Sequence, residues 1–357
     1  MPYKAKIKSI LMQAGGQGDG IIAANGLQAL IELNIPFLAD DGICFTRSLV
    51  EPLVKAMLPG LNIRSIADAG HSPHPRYHLL SKISWTTVFR NYFSGDFYYD
   101  FAERRRLASF DYPPQGPGRR LQQYLTDMKL SSGTRVLRET PSYYALKMWA
   151  PVAAAWGVSE TALLRGLYMS YRTVSQRLRQ YADDPERHHA EVPVNKIAIF
   201  PGGGSFQFLP ADFIRGILSE LMPDGSGYTC YFAPGDPMLD DYVKAGLNSS
   251  VTNSVDDILQ IVANADITVT ADSFVSHLAQ LISKEHVALM SHDLPQHTIH
   301  PAARSRVVFE PLDCCPCYYT NRRDEKLCPA GYECCAVFLS GSYREQALET
   351  IKKILTP

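Results

Sequence analysis

The sequence lacks an uninterrupted apolar stretch approaching the roughly 18–20 residues that a membrane-spanning helix requires. The apolar run near the N-terminus is too short for a signal peptide, and it continues into a glycine-rich segment. Repeats of a fixed period are also missing, which excludes solenoids. Of the 357 residues, 46% are hydrophobic and 20% are charged, so disorder and coiled-coil rods are excluded for most of the chain. We expect a cytoplasmic protein of two domains, without a membrane span.

Strands alternate with helices in the first and last parts of the chain, which predicts an α/β fold with parallel sheets. In the first part, the pattern predicts strands over 7–14, 35–39 and 61–66 and helices over 21–33 and 48–57. In the last part, it predicts strands over 194–200, 228–232, 267–270 and 287–290 and helices over 211–222, 254–264, 273–282 and 343–355. Ser254 and Asp257 are spaced as in a capping box. These elements predict an N-terminal domain over 1–181, a linker over 182–193 and a C-terminal domain over 194–357.

The middle of the chain is strongly basic, although the net charge of the whole is only −1. Residues 71–180 hold 16 Lys and Arg against 7 Asp and Glu. We predict a basic helical region over 71–181 that faces an anionic partner, such as a phosphorylated glycolipid, a nucleic acid or an acidic protein. A merely solvated arginine-rich surface is the alternative.

The clearest helix of this region is predicted over 160–181, with Ser159 as its N-cap. Apolar residues recur there at spacings of three and four and define one helix face. These residues are Leu164, Leu167, Tyr171, Val174, Leu178 and Tyr181. Arg165, Arg172 and Arg179 are seven residues apart and form a cationic ridge elsewhere on the helix. We predict that this ridge binds an anionic acceptor.

The first candidate site is the glycine-rich turn that follows the first predicted strand and contains Gly16, Gly18 and Asp19. Glycines let the backbone approach a ligand closely, and a helix N-terminus offers unpaired N–H groups. The pattern is neither the G-x-G-x-x-G fingerprint nor a Walker A loop. A carboxylate here faces the crevice in which open α/β sheets bind ligands, so Asp19 is either a general base or a helix cap.

The second candidate site follows the strand over 194–200 and consists of Gly202, Gly203, Gly204 and Ser205. Backbone amides and a serine hydroxyl in such a turn can hold a phosphate. A turn that is only flexible is the alternative.

The third candidate site follows the strand over 267–270, where Asp272 and Ser273 are succeeded one helical turn later by His277. Ser273 and His277 are four residues apart and are predicted to share a helix face. Polar groups that converge at the end of a strand predict a ligand site. A helical histidine without a neighbouring polar group such as Asp272 is more often a structural residue.

Six of the eight cysteines lie between residues 314 and 335, whereas Cys44 and Cys230 stand alone in apolar contexts typical of core residues. Cys314 and Cys317 have the C-x-x-C spacing of metal ligands. We predict that Cys328 and one of Cys334 or Cys335 complete a tetrahedral structural site for zinc or iron. Local disulfides are the alternative, and a catalytic metal is not expected.

Taken in order, these motifs resemble the family-nine glycosyltransferases, the group that contains the bacterial lipopolysaccharide heptosyltransferases. The matching stretches are 18–22 through Leu30, 197–205 with Pro210, and 266–289 around His277, Leu278 and Ala279. The cysteine segment resembles a feature of part of that family. The resemblance implies a GT-B fold, in which two Rossmann-like domains face each other across a cleft. It also implies that the C-terminal domain holds an ADP- or UDP-sugar and that Asp19 is the base of an inverting, metal-independent transfer.

The sequence departs from the family pattern at two positions. Phe274 replaces the glycine of the family's Asp-Ser/Thr-Gly motif, and residues 206–210 lack the cation that often neutralises the diphosphate. Arg47 and Arg64 are candidate replacements for this cation. The acceptor by resemblance is a lipopolysaccharide core, and a phage-type DNA glycosyltransferase is an alternative. Nucleotide-sugar epimerisation and a non-catalytic, metal-stapled nucleic-acid- or nucleotide-binding protein are further alternatives.

Overall fold

The chain forms two compact units, Met1–Leu178 and Arg179–Pro357. The computed structural model describes residues 7–11, 17–35, 43–46, 48–65, 86–91, 95–100, 105–110, 143–146, 149, 153, 157–184, 186, 196–202, 208–291, 293–310 and 337–356. No helix in these ranges is long and apolar enough to cross a membrane. Most of the predicted linker over 182–193 lies outside these ranges, and the predicted domain boundaries stay predictions.

The first unit contains a six-stranded mixed sheet. Its strands are β1 (Ile7–Leu11), β2 (Ile43–Thr46), β3 (Asn62–Ser65), β4 (Thr86–Asn91), β5 (Gly95–Asp100) and β6 (Arg105–Phe110). They lie in the order β3-β2-β1-β4-β5-β6, in which β1 to β3 are parallel and β4 to β6 are antiparallel. Its helices are α1 (Gln17–Glu32), α2 (Glu51–Met57) and α3 (Glu160–Ala182), and a 3-10 turn at Ser48–Val50 precedes α2.

The prediction of a helical basic region over 71–181 is wrong for residues 86–91, 95–100 and 105–110, which form the antiparallel strands β4, β5 and β6. The sequence of β4 begins Thr-Thr-Val-Phe and that of β5 contains Phe-Tyr-Tyr, and such β-branched and aromatic residues favour strands. Only three residues separate β4 from β5, which suits a hairpin. The charge count was uninformative here because net charge reports on partners and not on secondary structure.

The second strand among the described residues lies at Ile43–Thr46, whereas the sequence predicted a strand over 35–39. Of the predicted residues only Ile35 is described, and it closes α1 instead of starting a strand. The Ile35 N–H donates to the Leu30 carbonyl at 3.1 Å across Asn34, whose φ of 54° is left-handed. This is a Schellman ending, in which a buried apolar residue follows the left-handed position.

Helix α3 confirms the prediction over 160–181, including the Ser159 cap, whose Oγ accepts from the Ala162 N–H at 3.2 Å. The buried face is displaced from the predicted one. It consists of Leu163, Gly166, Leu167, Ser170, Val174, Leu178 and Ala182, whereas Leu164, Tyr171 and Tyr181 are half-buried. Small and polar residues share this face because α3 packs very closely on α1.

The closest approach of α3 to α1 is at Gly166, where a Cβ atom would lie 2.8 Å from the Ala29 carbonyl oxygen. Polar pairs flank this approach. The Ser170 hydroxyl bonds to the Asn25 amide oxygen at 2.5 Å, and Arg177 donates to the Gln28 amide oxygen at 2.9 Å. Arg177 also donates to the Met57 carbonyl at 2.7 Å, at the end of α2. One arginine thus ties three helices of the first unit together.

The second unit contains a six-stranded sheet in which every pair is parallel. Its strands are β7 (Ile197–Phe200), β8 (Tyr228–Phe232), β9 (Ser249–Val251), β10 (Ile267–Ala271), β11 (Glu285–Met290) and β12 (Arg306–Phe309). Its helices are α4 (Ala211–Leu221), α5 (Leu239–Lys244), α6 (Val255–Asn264), α7 (Phe274–Ile282), α8 (Pro295–Thr298) and α9 (Gly341–Leu355). The order β12-β11-β10-β7-β8-β9 is that of a doubly wound Rossmann sheet.

Polar and apolar residues do not alternate along the central strands of this sheet, because helices cover a parallel sheet on both faces. All residues of β7, β8 and β10 are buried. The predicted capping box of α6 is confirmed, since Ser254 and Asp257 exchange both side-chain bonds. Cys230 is buried in β8, as predicted, and burial raises the pKa of its thiol. The short edge strands β9 and β12 were not predicted.

Helix α9 is anchored by Tyr343, which is fully buried. Its hydroxyl lies 2.9 Å from the carbonyl oxygens of both Met290 and Val308, at the ends of β11 and β12. Its ring packs edge-on against Phe338 with centroids 5.3 Å apart. The last helix of the chain is therefore fixed to one side of the second sheet.

Replacing Gly166 by Ala tests the α1–α3 contact. An alanine in a helix normally stabilises it by up to about 1 kcal/mol relative to glycine. Here the added methyl meets a backbone carbonyl, and overpacking costs about 1–3 kcal/mol. We therefore expect Gly166→Ala to lower the free energy of unfolding by about 1–2 kcal/mol in urea titrations followed by circular dichroism. Gly60→Ala is the control, because nothing lies within 4 Å of a Cβ at Gly60; equal midpoints for the two variants would contradict the contact.

Candidate functional site

The candidate site of the second unit lies at the point where the order of strand connection reverses, between β7 and β10. Strands β7 and β10 are neighbours, and the chain continues outward from each of them in opposite directions. Phe200 pairs with Thr270, so the segments that leave the carboxyl ends of these two strands begin side by side. In open α/β sheets, ligands bind in the crevice at such a switch point. Two of the three predicted candidate sites meet here.

The segment after β7 is a loop that a backbone bond closes at its base. The Leu209 N–H donates to the Pro201 carbonyl at 3.0 Å, and both residues are buried. Gly202 begins the loop, and a Cβ there would lie 3.1 Å from the Asp236 carboxylate, which comes from the loop after β8. The predicted phosphate-binding residues Gly203, Gly204 and Ser205 lie outside the described residues.

The segment after β10 leads into the N-terminus of α7. Asp272 is 7% exposed, at the carboxyl end of β10. Ser273 is the N-cap of α7, and its hydroxyl accepts from the Ser276 N–H at 3.4 Å. The helix begins one residue later than predicted, at Phe274, and the His277 N–H donates to the Ser273 carbonyl at 3.3 Å. The first turn of α7 presents unpaired N–H groups and a positive dipole end at the switch point.

His277 lies in the second turn of α7 and is a neutral imidazole. Burial lowers its pKa from 6.5 to about 4, although a hydrogen bond to the Thr298 backbone and the Asp293 carboxylate act in the opposite direction. Its Nδ1 atom is buried and has no hydrogen-bond partner within the described residues. A buried polar atom normally finds a partner, so this nitrogen is one of the few exceptions among the described residues.

The segment after β11 is held against α7 by Gln280, which the sequence analysis did not single out. The Gln280 amide donates to the Thr298 carbonyl at 3.2 Å and accepts from the His300 N–H at 2.7 Å. In the same segment, His297 Nδ1 lies 2.6 Å from the Asp293 carboxylate. Gln280 follows His277 by three residues, and that helical spacing was the signal available in the sequence.

A cavity of about 430 Å³ lies beside the base of the β7 loop, between the first turns of α4 and α5. Its lining includes Phe208, Pro210 and Tyr242, together with the charged side chains of Arg215 and Lys244. Both cations pair with carboxylates of their own helices, Arg215 with Asp212 at 2.7 Å and Lys244 with Asp241 at 3.8 Å. No pattern in the sequence predicted this cavity.

In the first unit, Asp19 is the third residue of α1, which begins at Gln17 and not at the predicted Ile21. Gly18 and Gly20 are buried in the same turn, and Gly16 lies outside the described residues. A Cβ on Gly20 would lie 3.2 Å from the Val50 side chain. The absence of a side chain at Gly20 therefore serves the packing of α1 on the 3-10 turn.

No protein-family model matches the chain, and no curated protein matches its sequence. Solved structures do match. The family 9 glycosyl transferase of Veillonella parvula matches at 13% identity with a TM-score of 0.53, over 99% of this chain and 97% of that one. The iron-containing dodecameric glycosyltransferase TibC of enterotoxigenic Escherichia coli matches at 11% identity with a TM-score of 0.52, over 99% of this chain and 77% of that one. TibC has also been solved in complex with ADP-D-β-D-heptose, and that structure matches with the same TM-score at 10% identity.

The chain has the fold of a family 9 glycosyltransferase. This confirms the α/β fold and the family likeness drawn from the sequence. At such low identity the similarity concerns the fold, and the roles of individual residues stay predictions.

The three arginines predicted to bind an acceptor on this glycosyltransferase fold do not share one environment. Arg165 and Arg172 are exposed on α3. Arg179 is also exposed, but it donates to the Ser283 carbonyl at 3.3 Å within the second unit. Of the two candidate replacements for the missing cation, Arg64 is exposed and donates to the Asn62 side chain at 3.4 Å, while Arg47 lies outside the described residues.

The predicted metal ligands Cys314, Cys317, Cys328 and Cys334, and the alternative Cys335, all lie outside the described residues. Within the described part of the glycosyltransferase fold, no group of three or more histidine, cysteine or acidic residues is placed to hold a metal ion. The metal site therefore stays a prediction.

The buried histidines of the second unit make its stability depend on pH. His286 bonds to the hydroxyls of Thr270 and Ser305 at 2.9 and 2.7 Å, and burial lowers its pKa to about 3. Both His286 and His277 stay neutral in the folded chain while the unfolded chain protonates below about pH 6.5. We expect the free energy of unfolding to fall with decreasing pH between about 6.5 and 4, by up to about 1.4 kcal/mol per pH unit for each histidine. Imidazole ¹H–¹³C NMR, assigned with His277→Gln and His286→Gln, checks this, and titration of either ring near pH 6.5 would contradict it.

Proposed function

We propose that the protein is an inverting glycosyltransferase that moves a sugar from a nucleotide-sugar donor to a hydroxyl group of an anionic acceptor. The observation that carries this proposal is the switch point of the second sheet, where the β7 loop and the capped N-terminus of α7 emerge side by side. Solved structures that share this fold are glycosyltransferases, and this similarity supports sugar transfer as the reaction at the switch point. We further propose a GT-B architecture, with the first unit on the acceptor side.

In this proposal the donor diphosphate binds at the α7 terminus and the β7 loop. The N–H groups of the first turn of α7 and the Ser273 hydroxyl offer hydrogen bonds to phosphate oxygens. The residues that would add to them are Gly202, Gly203, Gly204, Ser205 and Asp272. His277, whose ring is neutral, would contribute no positive charge to this donor site. An ADP-sugar is the first donor to test, since TibC has been solved with ADP-D-β-D-heptose.

In the transfer step, Asp19 takes the proton of the acceptor hydroxyl as its oxygen attacks the anomeric carbon. The bond between that carbon and the β-phosphate oxygen breaks, and the electron pair leaves with the nucleoside diphosphate. The α7 terminus stabilises the charge that develops on the leaving group. The position of Asp19 in the first turn of α1 supports this role, because that turn follows β1 at the carboxyl edge of the first sheet.

The proposal is tested by nucleotide release from a panel of ADP-, UDP- and GDP-sugars, with a lipopolysaccharide core or DNA as acceptor. We expect acceptor-dependent release from one donor. Asp19→Asn should lower kcat about 10²–10⁴-fold, the usual contribution of a general base, and leave donor binding unchanged. Asp183→Asn, at an exposed aspartate of the second unit, is the matched control. Donor binding without release in the wild type would favour a nucleotide-binding protein, and absence of both would reject the proposal.

We also propose that Cys314, Cys317, Cys328 and Cys334 or Cys335 hold a structural zinc or iron ion, since four thiolates in a short segment suit either metal. TibC, which shares the fold, is described as iron-containing. Elemental analysis of purified protein should find about one such ion per chain, and Cys314→Ser or Cys317→Ser should lose it. Cys44→Ala should retain it. Metal-free protein with fewer titratable thiols than cysteines would show that the segment is disulfide-bonded instead.

A further inference from the structure

Helix α3 carries a stripe of exposed side chains opposite the face that packs on α1. The outer stripe consists of Arg165, Tyr168, Met169 and Arg172, which recur at helical spacing over about 10 Å. Tyr168 is 46% exposed and Met169 is 42% exposed, and both belong to the few large apolar side chains so exposed among the described residues. The stripe lies within the first unit and shares no residue with the donor site.

The two arginines of the outer stripe are both exposed. Neither has an ion-pair or hydrogen-bond partner in the described part of the chain, unlike Arg177 and Arg179 on the same helix. The only acidic residue of α3 is Glu160, at its first position. The surrounding sequence over 71–180 is also rich in basic residues. Among the described residues, the outer stripe therefore presents two guanidinium groups without partners, on either side of two apolar side chains.

We propose that the outer stripe docks the protein on the surface of an anionic lipid bilayer. The guanidinium groups bind lipid phosphates, and their aliphatic stems run along the apolar boundary. Tyr168 and Met169 enter the region between headgroups and acyl chains, which is where amphipathic helices bury their apolar residues. Nucleic acid is the less favoured partner, because it offers phosphates to the arginines but no apolar phase to Met169.

This inference goes beyond the proposed transfer. It rests on that proposal only where it implies that the anionic acceptor is presented at a lipid surface. Docking itself needs neither a donor nor catalysis, so the two proposals can fail separately.

Flotation of the full chain with lipid vesicles tests the docking. We expect binding to vesicles of phosphatidylcholine with about one third phosphatidylglycerol and little binding to pure phosphatidylcholine, since each basic residue near an anionic surface strengthens binding about fivefold. Arg165→Gln with Arg172→Gln should therefore weaken vesicle binding about 25-fold. Lys244→Gln with Arg304→Gln removes the same charge from exposed positions of the second unit and should leave binding unchanged.

The apolar part of the stripe is tested by Met169→Gln, which keeps the length of the side chain and removes its affinity for lipid. A severalfold loss of vesicle binding is expected, with circular dichroism as the check on folding. Equal binding of the Met169→Gln variant and the wild type, or equal loss of binding in the stripe and control double variants, would overturn the proposal. So would stripe-dependent binding to a DNA duplex in the absence of vesicle binding.

The Asp19→Asn variant separates this proposal from the proposed function. It should float with anionic vesicles as the wild type does, although it has lost turnover. Vesicle binding in a wild-type protein that turns over no donor would remove the transferase proposal and leave the docking surface in place.

Discussion

The parallel pairing of β7 with β10 is the constraint on which the candidate site depends. These two strands are far apart in the chain, and their pairing over Ile197–Phe200 and Ile267–Thr270 brings the ends of two separate α/β segments together. Without it, the glycine loop and the capped helix α7 would be two unremarkable turns. With it, the segments that leave the two strands begin side by side at one crevice, in front of a closely packed sheet.

The sequence located these two segments because each carries a local signal. A glycine run after a buried strand and an Asp-Ser pair before an apolar helix are both readable from single stretches. The same is true of α3, whose cap and periodicity predicted its length within a residue or two. The capping box at Ser254 is equally local. What local signals cannot give is strand order, because the neighbour of β7 is decided by a crossover of some 70 residues.

The predictions that proved wrong depended on contacts outside the segment concerned. Ile35 has the look of a strand residue, but it seals the end of α1 behind the left-handed Asn34. The buried face of α3 includes Gly166 and Ser170, which no hydrophobic scale would place there, because proximity to the α1 backbone selects small residues. Gln280 escaped notice because its value lies in two hydrogen bonds to a segment about twenty residues away. In each case tertiary packing overrode local preference.

Burial of His277 has a consequence for how the α7 terminus would bind the proposed donor diphosphate. A cationic imidazole would offer a full charge, but the apolar surroundings keep this ring neutral at physiological pH. Among the described residues of the crevice, the groups that would favour an anion are therefore oriented dipoles, namely the helix terminus and the serine hydroxyl. Dipoles act strongly only when they are fixed beforehand, because turning them towards the charge would cost most of the gain. The clamp that Gln280 forms on the neighbouring segment, and the bond from Leu209 that closes the β7 loop, supply that fixation. Residues 206–210 contain no charged side chain. The proposed site therefore depends on fixed dipoles in place of a cation.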